Sequence, residues 1–212
     1  GVRIPGRIYA IADAGVLGAT PLPAAVAALA EAGIGWIQVR AKRLSGRDLF
    51  RAVEECCRAV EGCGAALWID DRADLAALFP VAGAHVGQAD LPPEAVRRVV
   101  GGGTWIGLST HDEAQLAAAD ADPDVDVVAV GPVFPTASKE RPDPVVGLDF
   151  VRRARARTAK PLVAIGGIGA ESVRAVLEAG ADAAVVLGAV CRGDLGEIGR
   201  NARRLLAAAG SG

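Results

Sequence analysis

Short apolar, β-branched runs alternate with Ala-rich amphipathic stretches eight times along the chain, and no other feature constrains its fold as much. That alternation is the pattern of βα units around a parallel sheet. Strands are predicted near Ile8–Ala12, Trp36–Arg40, Ala66–Ile69, Ala84–Val86, Trp105–Leu108, Val127–Val130, Leu162–Ile165 and Ala183–Leu187. Helices are predicted between and after them, near Pro23–Ala32, Ser45–Glu61, Arg72–Phe79, Pro92–Val100, Asp112–Ala119, Leu148–Ala156, Ala170–Ala179 and Leu195–Ala208. Ser45 with Asp48 resembles a capping pair, and Gly33 and Gly180 stand where helices should stop. An open doubly wound sheet would usually have fewer strands, or a GxGxxG turn after its first strand. The reading is an α/β fold, a single (β/α)8 TIM barrel over residues 1–212.

So many elements in this length leave little room for insertions. The one long connection, Gly131 to Gly147, carries Pro132, Pro135, Pro142 and Pro144, and is predicted to be a working loop or lid. Net charge is −2, with 23 basic and 25 acidic residues interleaved, so no bulk field favours nucleic acid or a membrane surface. The one local basic cluster, Arg152, Arg153, Arg155 and Arg157, reads as a solvated helix end. Cys56, Cys57, Cys63 and Cys191 lack metal-ligand spacing and read as small buried residues in a reducing cell. With no basic-then-apolar leader at the start and no apolar run of membrane-spanning length, a cytoplasmic location is expected. A homodimer is compatible with the sequence.

Barrel active sites lie at the C-terminal ends of the strands. Those ends carry Asp13; Gln38, Arg40 and Lys42; Asp70 and Asp71; Gln88 and Asp90; Ser109 and His111; Thr136, Ser138 and Lys139; Gly166 and Gly167; and Leu187 and Gly188. The strand interiors are otherwise almost wholly apolar, so polar chemistry concentrates at one rim. The chain has 20 Arg but three Lys, three Gln and two His, and Lys42, Lys139, Gln38, Gln88 and both histidines fall beside strand ends.

In QVRAK, alternation puts Gln38, Arg40 and Lys42 on one side, converging on the barrel mouth. Two cations and an amide suit a polyanion: Arg offers a donor fork and Lys a mobile point charge. Asp71 and Asp90 follow neighbouring strands and supply hard oxygens, fitting Mg2+ shared with substrate phosphates. Asp71 could equally serve as a helix cap. The runs AIGGIGAESV and ADAAVVLGAV put glycine turns after the seventh and eighth strands, a phosphate cradle helped by the helix starts beyond them. His111 fits a general base or a cap, and His85, inside a strand, reads as structural.

Taken in order, IYAIAD, QVRAK, IDDRADLA, GAHVGQAD, IGLSTH, VGPVFPTASK, AIGGI and GADAAVV resemble thiamin phosphate synthase along nearly the whole chain. The resemblance implies a transferase joining a pyrimidine methyl diphosphate to a thiazole phosphate with release of diphosphate. It implies that Arg40, Lys42, Ser109 and Lys139 hold the diphosphate, that Asp71 and Asp90 hold Mg2+, and that Gln38 orients the aminopyrimidine. Thr136, Ser138, Gly166, Gly167, Leu187 and Gly188 would take the thiazole phosphate. Three positions depart from the family pattern: Asp70 stands where Asn is usual, Ser138 where Thr is, and Gly188 where Ser is. Two rival readings are a related thiazole tautomerase using His111, which would not need the carboxylate pair, and a barrel that binds a phosphorylated ligand without catalysis.

Overall fold

The computed structural model describes residues 4–136 and 143–210. Eight parallel strands close in sequence order, the last pairing with the first. They are β1 (Ile8–Asp13), β2 (Trp36–Arg40), β3 (Ala66–Asp70), β4 (Gly83–Val86), β5 (Trp105–Thr110), β6 (Val127–Val130), β7 (Leu162–Ile165) and β8 (Ala183–Val186). Among the described residues the helices are α1 (Ala14–Leu17), α2 (Leu22–Glu31), α3 (Gly46–Ala59), α4 (Ala73–Leu78), α5 (Pro93–Val100), α6 (Glu113–Ala121), α7 (Gly147–Arg157), α8 (Val173–Glu178) and α9 (Leu195–Ala209). The (β/α)8 barrel expected from the alternation is the fold. One helix was not expected: α1 is a single turn, held because the Asp13 carboxylate accepts from the backbone N–H groups of Gly15 and Val16. The predicted punctuation holds elsewhere. Ser45 caps α3 by accepting from Asp48 N–H, and Gly33 and Gly180 take φ of 100° and 112° just past α2 and α8.

Strand alternation sorts side chains into two cores. Residues facing outward pack against the helices, as Ile37, Val39 and Ile69 do with Leu49 and Val53 of α3. Those facing inward fill the barrel: Tyr9, Trp36, Trp68 and their apolar neighbours, with Tyr9 and Trp36 stacked at 4.2 Å between ring centroids. The aromatics are crowded into the β1–β3 side, and glycines opposite make room for them. A Cβ on Gly83 would lie 2.5 Å from the Trp68 ring, and one on Gly107 would lie 2.5 Å from His85 Nδ1. Above this apolar floor the inward positions turn polar, and there the rim begins.

Two expectations about the surface need correction. Arg155 is not a solvated helix end: it is half-buried, bonds Asp182 at 2.8 Å and donates to the carbonyls of Thr158 and Lys160. Its position explains the burial, since Arg155 folds over Gly180, where a side chain would leave no space. Of the cysteines, Cys56 and Cys191 are buried as expected, Cys57 is half-buried and Cys63 is exposed; all four are free thiols. Burial pushes the Cys56 thiol up to about 12 and the Cys191 thiol up to about 11. Among the described residues, no helix is long and apolar enough to cross a membrane.

Candidate active site

The β1–β2 register sets Asp13 opposite Arg40, so a carboxylate and a guanidinium end adjacent strands side by side. Arg40 Nη1 bonds Asp13 Oδ2, and its Nε lies 3.2 Å from Asp70 Oδ2 on the other flank. Asp13 thus does two jobs, capping α1 with Oδ1 and fixing Arg40 with Oδ2. Below Arg40, buried Gln38 is pinned through its amide, which donates to the Tyr9 hydroxyl at 2.6 Å. Burial holds that phenol well above its ordinary pKa, so it remains a neutral partner.

Lys42 lies just beyond β2 with its ammonium 2.9 Å from Asp71 Oδ2 and 4.0 Å from Asp70 Oδ2. Burial acts to lower its pKa, but the bond to Asp71 and the field of Asp70 outweigh it and raise the ammonium above its usual value. Asp71 itself is the one described non-glycine residue with a positive φ, at 60°, a conformation Asp tolerates better than most. Its N–H donates to His85 O, tying the end of β3 to β4. Asp71 does not cap α4; Arg72 occupies that position without a side-chain cap. Asp70 is, with Asp13, one of the two enclosed carboxyls of the cluster. Burial first, then Asp71, pushes Asp70 up to about 7 against the pull of Arg40 and Lys42. Its Oδ2, though close to both cations, has no well-aligned hydrogen bond.

Asp90 follows β4 in a turn, where its Oδ2 accepts from Gly87 N–H at 2.8 Å. Among the described residues, no cluster of three or more His, Cys, Asp or Glu has metal-holding geometry. Asp71 and Asp90 instead offer two hard oxygens on neighbouring strand ends, a donor set that fits Mg2+ only when phosphate oxygens and water complete the shell. Ser109 on β5 closes this side: its hydroxyl lies 2.8 Å from His85 Nε2, and its carbonyl accepts from Gln88 Nε2 at 2.7 Å. His85, expected to be structural, therefore faces inward and buttresses a site residue.

The opposite half of the rim is built differently. A cavity of ≈ 440 Å³ opens over β5–β8, lined by Ser109, His111, Thr136, Gly166, Gly167, Leu187, Gly188 and the side chain of Arg192, among others. Backbone shapes most of it. Gly166 and Gly167 have φ of 109° and 63°, and a Cβ on either would come within about 2.5 Å of the Pro132–Pro135 segment. Among the described residues, no acceptor takes the N–H groups of Gly167 or Gly188. The helix starts beyond this cradle lie where expected for α9 and three residues later than expected for α8. α8 begins at Val173, well past the glycines, and α9 begins at Leu195 with its own Asp194/Glu197 capping box. The cavity wall here is therefore loop backbone, not a helix end.

His111 also lines this cavity. Its Nδ1 donates to Gly131 O at 2.7 Å, and Nε2 lies 3.6 Å from Asp143. The long connection is tied down where it is described: Val133 and Phe134 donate to Ile165 O and Gly166 O, and Val146 donates to Pro132 O. Ser138 and Lys139 lie outside the described residues. Every other residue picked out at the strand ends sits on this one rim. Sequence reading missed the roles of Asp13, His85 and Arg192. Asp13 and Arg40 both end their strands, but their pairing needs the β1–β2 register that the structure supplies.

The chain is similar to known proteins along most of its length. Residues 8–190 match the family model described as thiamine monophosphate synthase. The thiamine-phosphate synthase of Koribacter versatilis is 45% identical over 191 residues, covering 88% of this chain and 89% of that protein. That of Acidothermus cellulolyticus is 42% identical over 170 residues, covering 80% of each. Among solved structures, a thiamine phosphate pyrophosphorylase from Pyrococcus furiosus superposes with a TM-score of 0.85 at 26% identity, covering 96% of this chain and 95% of that one.

Proposed function

The chain belongs to the thiamine monophosphate synthase family, and from that premise we propose that it is a transferase joining 4-amino-2-methyl-5-hydroxymethylpyrimidine diphosphate to 4-methyl-5-(2-hydroxyethyl)thiazole phosphate, giving thiamin phosphate and diphosphate. The observation that carries this reading is the division of the rim. A cation-and-carboxylate cluster at the ends of β2 and β3 stands on the same rim as a glycine-shaped cavity over β5–β8, and Ser109 of the cavity wall is bonded to His85 of β4 between them. Two phosphorylated substrates need two such places side by side.

Arg40 and Lys42 bind the diphosphate, with Ser109 and Lys139 completing its grip, and the polyanion displaces Asp70 and Asp71 as their partners. Asp71 and Asp90 would hold Mg2+, which when bound would supply charge neutralisation for the diphosphate leaving group. Gln38, its amide fixed by Tyr9, orients the aminopyrimidine. Thr136, Ser138, Gly166, Gly167, Leu187 and Gly188 seat the thiazole phosphate. The carbon–oxygen bond ionises to a pyrimidine-stabilised cation, and the thiazole nitrogen captures it. This chemistry needs no nucleophilic side chain; it needs a neutralised leaving group and two aligned substrates. The same reading makes residues 1–212 one working unit in the cytoplasm, acting on small molecules and not on nucleic acid or membrane, with a homodimer compatible.

The test is a product assay with both substrates, with and without Mg2+. Thiamin phosphate and diphosphate should form in equal amounts and only with the metal. Isomerisation of the thiazole substrate alone, with no diphosphate released, would favour instead a tautomerase working through His111, the histidine lining the cavity.

A further inference from the structure

Among the described residues, little that lines the glycine-shaped cavity offsets the charge of a phosphate. A phosphate monoester carries about −1.5 to −2 at neutral pH. The backbone N–H groups of Gly167 and Gly188 are neutral dipoles, and Gly188 brings no hydroxyl. The one carboxylate on the cavity wall, Asp143, lies beside His111, so this pair adds little net positive charge. Among the described residues, Arg192 is the single Arg or Lys that lines the cavity.

Local backbone explains how Arg192 gets there. After β8 the chain makes a helical turn, with Val190 N–H and Cys191 N–H both donating to Leu187 O. Residues four apart share a face of such a turn, so the Arg192 side chain comes back over Gly188. A Cβ on Gly188 would lie 3.7 Å from Arg192 Nε and 3.8 Å from its Nη2. The donor fork therefore lies over a glycine of the cavity wall whose N–H has no acceptor among the described residues. The neighbouring acids are engaged elsewhere: the Asp194 carboxylate accepts from Glu197 N–H, and Glu197 from Asp194 N–H. No carboxylate among the described residues forms an ion pair with Arg192. In this it differs from Arg40 and Lys42, which have carboxylate partners.

We propose that Arg192 is the cation of the second phosphate site, gripping the phosphate monoester over Gly188 with its guanidinium fork and so selecting the phosphorylated over the unphosphorylated second substrate. The proposal rests on the reading of this cavity as the thiazole phosphate site. An Arg fork suits a phosphate better than a point charge does, because two N–H groups can meet two oxygens.

The experiment compares the wild type with Arg192→Ala, Arg192→Gln and Arg192→Lys, each checked for fold by circular dichroism and thermal midpoint. A lost charge-assisted hydrogen bond is worth on the order of 10- to 100-fold. KM for the thiazole phosphate should rise by that factor in the Ala and Gln variants. KM for the pyrimidine diphosphate should stay within about twofold, and Lys should recover part of the loss. With the thiazole alcohol as substrate, wild type and Arg192→Ala should behave alike. An unchanged KM for the thiazole phosphate, or an equal loss with the alcohol, would overturn the proposal while leaving the synthase reading standing. If the wild type does not turn over the two substrates, the synthase reading fails first. Inorganic phosphate then decides the site: titrated calorimetrically, its binding should weaken at least tenfold in Arg192→Ala, and equal binding would overturn the role of Arg192.

Discussion

The two halves of the rim are built in opposite ways, and on the proposed reading they handle anions differently. On β1–β4 the cations are already matched: Arg40 by Asp13 and Asp70, Lys42 by Asp71. A diphosphate arriving there exchanges partners, so its affinity is a difference between two sets of ion pairs. On β5–β8 the N–H groups of Gly167 and Gly188 have no acceptor among the described residues, and the backbone fixes the shape. A phosphate arriving there takes up N–H groups that are not already committed to a carboxylate. Substitutions in the first half should therefore act through charge, and those among the glycines of the second through shape.

The largest effect tests the charged half. Asp71→Asn together with Asp90→Asn should lower Mg2+-dependent turnover by several kcal/mol, roughly a thousandfold or more. Asn is the better choice than Ala at Asp71 because it tolerates the φ of 60° and keeps the fold comparable. Rates measured across a Mg2+ titration check this, and full activity at limiting Mg2+ would remove both residues from the metal site. Next comes Lys139→Ala. A cation whose contact strengthens as diphosphate leaves acts on the transition state, so kcat should fall roughly 30- to 1000-fold with a smaller change in KM. A change confined to KM would make Lys139 a docking charge.

The glycine half should respond to size instead. In Gly167→Ala the new Cβ would stand 2.5 Å from Pro135 O at a φ of 63°. The strain is worth about 1–3 kcal/mol, seen as a lower thermal midpoint. KM for the thiazole phosphate should rise with KM for the pyrimidine diphosphate unchanged. Equal rises in both constants would mean that the halves are not separable.

The two halves also differ in how readable they are from sequence. Strand alternation puts Gln38 and Arg40 of the motif QVRAK on one side of β2, because a period of two fixes which face a side chain takes, and Lys42 follows just beyond the strand's end. Asp13 stands in plain view at the end of β1, but its pairing with Arg40 depends on strand register, which hydrophobic pattern alone leaves loose. The cradle is legible as glycines, yet helix starts are the wrong cause for it. α9 begins at Leu195 as expected and α8 three residues later than expected, at Val173, so both starts stand several residues beyond the glycines. Arg192 is not legible at all, because nothing in the sequence says that the chain turns back over Gly188. His85 reads correctly as an interior residue, but its contact with Ser109 needs the β4–β5 register that puts Gly107 beside it.

The smallest effect gives the sharpest test of partner exchange, because it changes one charge and almost no shape. Asp70→Asn removes an anion that competes with the diphosphate for Arg40 and Lys42, from distances of 3.2 and 4.0 Å. It also removes the like charge beside Asp71, which with burial pushes the Asp70 carboxyl up to about 7. Against this, Arg40 loses one of two restraints. Asp13 keeps the other, and Asp13 is itself held by the backbone of α1, so Arg40 should stay in place. The removed competition therefore outweighs the lost restraint. A pair at a partly solvated rim is worth about 0–1 kcal/mol, so KM for the pyrimidine diphosphate should fall by about two- to fivefold. The thiazole phosphate constants should not move, since its cavity contains none of these groups. Steady-state kinetics on both substrates measure this directly. A tenfold or larger rise in KM for the diphosphate substrate would instead make Asp70 an essential holder of Arg40, and the charged half would depend on its internal ion pairs rather than exchange them.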